Sequence, residues 1–180
     1  MEQWVRDYLD GRGITNDRIQ NMTEIELMHL SRDLEYEHCR NDIAYYVRTY
    51  CVYEDKDADE LIQPFNMWDA QEEALKSIHE HRRNIIMKAR QLGITWLVIS
   101  YASSVLLLRS GRTVIGLSRT EEEAKELVRR LAVEYNNMPQ LIREKKNTNG
   151  NDRKDSCDNR LKGVDLGHGK KLRFPKERTG

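Results

Sequence analysis

The sequence predicts an α/β fold, a parallel sheet clothed in helices and preceded by an α-helical N-terminal segment. Three observations carry this. Two short apolar runs, Ile85–Met87 and Thr113–Leu117, have the composition of buried strands. Each leads through a polar turn into apolar residues long enough or spaced for a helix, Trp96–Leu108 after the first and Ala124–Leu131 after the second. A βαβα order implies strands that lie parallel. Ahead of them, residues 1–60 read as helical, so the domain carrying the sheet is expected over 61–144, with a polar remainder over 145–180.

The chain has 180 residues, enough for one domain or a little more, with 33% charged and 38% apolar residues. Lys plus Arg and Asp plus Glu both total 30, so no global positive field draws it to nucleic acid. Cys39, Cys51 and Cys157 are odd in number and lack metal-ligand spacing, as in a reducing cytosol. No apolar run reaches membrane-spanning length, and Met1–Gly11 lacks a signal-peptide core.

Taken in order, Trp4, Val5, Tyr8 and Leu9 recur at helical spacing, and Gly11 and Gly13 stop the pattern. Thr23 and Glu26 form a capping box ahead of a helical face of Ile25, Leu27, Met28, Leu30 and Leu34. Ile43, Tyr46, Val47 and Tyr50 give a second face; its tyrosines at helical spacing read as core before they read as a base-stacking platform. Glu54–Glu60 is an acidic, solvated linker. Trp68, Ala74, Leu75 and Ile78 share one side of a helix that ends near His79–Arg83, with no helical face common to His79 and His81 that would hold a metal. Ser110–Gly111 stops the helix over Trp96–Leu108. Thr120 and Glu123 cap the next one, whose first turn holds three glutamates suited to its positive end. Pro139 opens a last short helix, and Lys170–Phe174 has room for one short strand.

The turn between the first strand and its helix is Lys88-Ala89-Arg90-Gln91-Leu92-Gly93-Ile94-Thr95. Strand, tight turn and helix is the layout of a phosphate-binding loop, because backbone N–H groups at a helix start are unpaired and partly positive. Against the pattern G-x-x-x-x-G-K-[ST], Gly93 and Thr95 fit, whereas Lys88 stands at the first Gly and Ile94 at the Lys. A βα turn with a solvated Lys/Arg pair has the same spacing.

Phe65-x-Met-Trp-x-x-Gln71-x-x-x-Leu75, followed by Lys88-Ala-Arg-Gln-Leu-Gly-Ile-Thr-Trp96, resembles the N-terminal ATPase region of bacteriophage large terminase subunits, motors that package DNA into procapsids. The strand ending in Leu117-Ser118-Arg119-Thr120, with a Glu/Ala-rich helix behind it, fits the same resemblance, which covers roughly residues 40 to 140. It implies an incomplete P-loop NTPase-like sheet with ATP and Mg²⁺ as cofactors. Gln71 would read adenine, with Trp68 or Phe65 near the base. Lys88, placed at the loop's start as in some members, would neutralise the β- and γ-phosphates. Residues Ala89, Arg90, Gln91, Leu92, Gly93, Ile94, Thr95 and Trp96 would complete the nucleotide site. Thr95 would ligate Mg²⁺ through its hydroxyl, and Arg90 would act as an arginine finger in cis.

The implied partners are double-stranded DNA, the portal protein and the small terminase subunit in the bacterial host cytoplasm, with a homo-oligomeric ring only in the full-length protein and no membrane. The pattern's apolar strand ending in Asp-Glu, which holds Mg²⁺ and activates water, has no counterpart, since Gly163-Val164-Asp165 is too short, and no metal nuclease domain is found. The chain therefore reads as the front part of such a subunit, expected to bind nucleotide weakly at best and without turnover of its own. Two other readings stay open: a helicase-type ATPase, against which Ile94 argues, and a non-enzymatic interaction module left by a decayed ATPase.

Overall fold

A computed structural model describes residues 3–109, 111–139 and 142. They form seven helices and one two-stranded antiparallel sheet. The chain divides into two compact units between Asp42 and Ile43.

The first unit holds α1 (Gln3–Gly11), α2 (Asn16–Gln20) and α3 (Glu24–Asn41). Gly13, at φ +64°, turns the chain out of α1 while Ile14 N–H bonds back to Leu9 C=O at 2.9 Å. Thr23 starts α3 as its sequence predicts. Its hydroxyl accepts from Glu26 N–H at 3.3 Å and the Glu26 carboxylate accepts from Thr23 N–H at 2.8 Å. Trp4 stacks on His38 with centroids 5.0 Å apart, beside the buried Leu9 and Cys39. Ile25 and Met28 remain 65% and 61% exposed, so the apolar face expected on α3 is not covered at its N-terminal end.

The second unit runs from α4 (Ile43–Tyr50) through β1 (Val52–Glu54) and β2 (Ile62–Pro64) to α5 (Asp69–Glu80), α6 (Ile94–Leu108) and α7 (Glu121–Asn137). Helix α6 is apolar on every side and packs against α4, α5 and α7. Tyr46 and Val47 of α4, Leu75 of α5 and Leu97 of α6 are wholly buried, each burial contributing about 1.5–3 kcal/mol. Ile99 and Leu106 meet Leu131 of α7, with Val114, Leu127 and Tyr135 packed around them. The helical-core reading of the α4 tyrosines holds at Tyr46.

Two expectations are corrected. Ile85–Met87 and Thr113–Leu117 belong to no sheet, and no parallel sheet exists among the described residues. Val114 packs into the α6–α7 cluster, but Ile85, Met87 and Leu117 are 94%, 94% and 84% exposed. Composition made these runs strand-like. A strand also needs a neighbour for its N–H and C=O groups, and among the described residues none lies alongside. The acidic stretch taken as a linker is instead the loop of a hairpin. Val52 pairs with Pro64, Tyr53 with Gln63 and Glu54 with Ile62, and Asp55 N–H closes the loop on Leu61 C=O at 2.8 Å. This hairpin and α4 stand in the second unit, so the division falls earlier than residue 60. The polar region 145–180, including Lys170–Phe174, and Cys157 lie outside the described residues.

Candidate functional site

The loop ahead of α6 is shaped by two left-handed residues, Gln91 at φ +62° and Gly93 at φ +66°. Gly93 is the N-cap of α6, and the first bond of the helix runs from Leu97 N–H to Gly93 C=O at 3.1 Å. The N–H groups of Ile94, Thr95 and Trp96 therefore point out of the helix start, with no backbone acceptor among the described residues. Lys88, Ala89, Arg90 and Gln91 are exposed, Leu92 is at the margin, and Gly93, Ile94 and Thr95 are half-buried. Neither Lys88 nor Arg90 holds an ion pair among the described residues, and the Thr95 hydroxyl makes no hydrogen bond there.

Gln71, near the start of α5, reaches this loop. The residue is buried, 5% exposed. Its Oε1 accepts from Trp68 N–H at 3.0 Å, and its Nε2 donates to Leu92 C=O at 3.0 Å. The spacing from Gln71 to the loop thus brings the two together, but through a bond within the protein. Trp68 is the N-cap of α5 and 59% exposed. Phe65 is buried in the hairpin, its ring 5.8 Å from Tyr53. Trp96 turns the other way, buried under the Arg130 guanidinium of α7 at 5.2 Å, a cation–π contact.

The arrangement suits an anion better than a reaction. Amides at a helix start, with a lysine and an arginine free beside them, can take a phosphate chain. For Mg²⁺ the chain offers the Thr95 hydroxyl, with phosphate oxygens and water left to complete the shell. Among the described residues no group of three His, Cys, Asp or Glu side chains is placed to hold a metal. Behind Thr95 lies an apolar groove of about 310 Å³ between α6, Val114–Gly116 and α7, too poor in polar groups to hold phosphate.

A second constellation escaped the sequence reading. Tyr46 Oη meets Ser103 Oγ at 3.0 Å, and Ser103 Oγ donates to Ser100 C=O at 2.8 Å. Ser100 Oγ meets both Trp96 C=O, at 3.0 Å, and the Glu134 carboxyl. Glu134 is wholly buried, and its Oε2 has no partner among the described residues. Burial pushes this carboxyl up to about 8, against the hydrogen bonds from Ser100 and Ser103 that lower it. Ser100 has one hydroxyl proton for two neighbours. Both contacts are made at once when Ser100 donates to Trp96 C=O and a protonated Glu134 donates to Ser100. Nearby Cys51 is held well above the ordinary thiol range by burial and by Glu134, which leaves it inert as a nucleophile. The signal was present: Glu134 falls on the stripe Leu127, Leu131, and Ser100 and Ser103 interrupt an apolar helix. Comparison with protein-family models and with curated proteins gives no match for this chain.

Proposed function

We propose that the chain is the nucleotide-binding front part of a DNA-packaging motor of the large-terminase type, holding MgATP at the loop 88–95. The observation that carries this reading is the convergence on one loop of a left-handed Gly93 opening α6, N–H groups behind it without a backbone acceptor among the described residues, and a buried Gln71 bonded to Leu92. In this reading Lys88 lies over the phosphates, Thr95 meets Mg²⁺ through its hydroxyl, and Arg90 faces the charge that develops on the γ-phosphate. Double-stranded DNA, the portal protein, the small terminase subunit, a ring of subunits and the host cytoplasm belong to the same proposal. No helix among the described residues is long and apolar enough to cross a membrane.

Calorimetry with MgATP tests the reading. Wild type should bind. Lys88→Ala should bind at least about tenfold more weakly, the size expected for one charged phosphate contact. Steady turnover should be absent, since the sequence has no apolar strand ending in Asp-Glu to hold Mg²⁺ and activate water. A folded wild type that binds no MgATP would refute the proposal. That result would favour a non-enzymatic interaction module, the reading supported by the exposed apolar side chains of Ile85, Met87, Ile115 and Leu117.

A further inference from the structure

We infer that Gln71 is a positioning residue, a clamp that sets the loop's conformation rather than a reader of the base; as a statement about ligand binding this rests on the nucleotide reading above. Three observations converge. Gln71 is 5% exposed as a residue, which leaves little of it to lay against a base. Both of its polar atoms are engaged, Oε1 by Trp68 N–H and Nε2 by Leu92 C=O, each at 3.0 Å. And the loop is cut to fit it: a Cβ on Gly93 would stand 2.6 Å from Gln71 Nε2, at a residue whose φ of +66° already favours glycine.

The clamp has a directional consequence. In a trans peptide the N–H points opposite to the C=O. Holding the Leu92 carbonyl on Gln71 turns the Gly93 N–H away from α5. That sets a fourth donor beside the unpaired N–H groups of Ile94, Thr95 and Trp96. Gln71 also ties the loop to the start of α5, because the same carboxamide caps Trp68. Loop shape and the first turn of α5 are therefore held by one side chain.

Gln71→Glu isolates this role. A glutamate keeps the acceptor for Trp68 N–H and suits a helix N-terminus, so the first turn of α5 should be retained. Once ionised, it cannot donate to Leu92 C=O and sets an oxygen against it. Gly93→Ala attacks the same contact from the loop side. Limited trypsinolysis of the full chain, with cleavage after Arg90 followed by mass spectrometry, should run about tenfold faster in both variants, as the loss of one buried hydrogen bond would allow. Unchanged cleavage in both would overturn the clamp.

Calorimetry then separates clamp from base reader. With a clamp, Gln71→Glu weakens MgATP and magnesium tripolyphosphate by the same factor. Loss of MgATP with tripolyphosphate binding intact would overturn the inference, because only a base reader acts that way. A wild type that binds neither would sink the nucleotide reading, and the cleavage rates alone would decide the role of Gln71.

Discussion

Glu134 places a carboxyl in the interior, against Ser100 of α6. Its folded-state value of about 8 lies above its ordinary 4.5, so between those limits the folded chain keeps a proton that the unfolded chain has released. The contribution to stability is full below about pH 4.5, declines as pH rises, by at most about 1.4 kcal/mol per unit, and is gone above pH 8. Melting temperature measured from pH 5 to pH 9 should therefore fall, and Glu134→Gln, which has no proton to lose, should flatten the curve. An equal fall in the variant would assign it to other groups. At this scale the sequence was only half legible. Gln71 and Gly93 stood out by their spacing from the loop, but that one bonds to the other's neighbour depends on which way α5 faces. Glu134 shares the spacing of Leu127 and Leu131, but a glutamate among helical charges looks like a surface residue until its helix is packed.

Helices were the readable elements because their signals are local. Thr23 with Glu26, and Thr120 ahead of Glu121, Glu122 and Glu123, mark starts that the structure keeps, with Thr120 Oγ1 accepting from Glu123 N–H at 3.3 Å. The extended segments were misread because a strand is defined by its neighbour, which no local pattern supplies. They leave apolar side chains in solvent, Ile115 at 72% and Leu117 at 84% exposure. The double variant Ile115→Lys, Leu117→Lys should bind less of the apolar-surface dye ANS while changing stability by no more than about 0.5 kcal/mol. A large loss of stability would mean that both side chains are packed.

For the whole molecule, the expected division near residue 60 missed a long-range tie. Arg129 of α7 donates to Glu54 at the end of β1, 75 residues away, at 2.7 Å through Nη1 and more closely through Nη2. The same guanidinium holds Glu126 at 2.7 Å, driving that carboxyl down to about 2. An acidic run looks like a linker in sequence. Here its first glutamate is an anchor, and Phe65 N–H, bonded to Cys51 C=O at 3.0 Å, fastens the returning strand. The partner of Glu54 lies in α7, so no local pattern near residue 54 reveals it.

Because the hairpin is fastened at its base, its tip is free for other uses. Lys56, Asp57 and Asp59 are exposed, while Asp55 and Gln63 bond to backbone on either side. A short epitope or fluorophore-bearing peptide spliced between Ala58 and Asp59 should lengthen a surface turn and little else. Doubling such a loop costs only about 0.6 kcal/mol. The thermal midpoint should barely move, giving an addressable handle through which the second unit can be tethered, pulled or watched without touching α6 or the loop ahead of it.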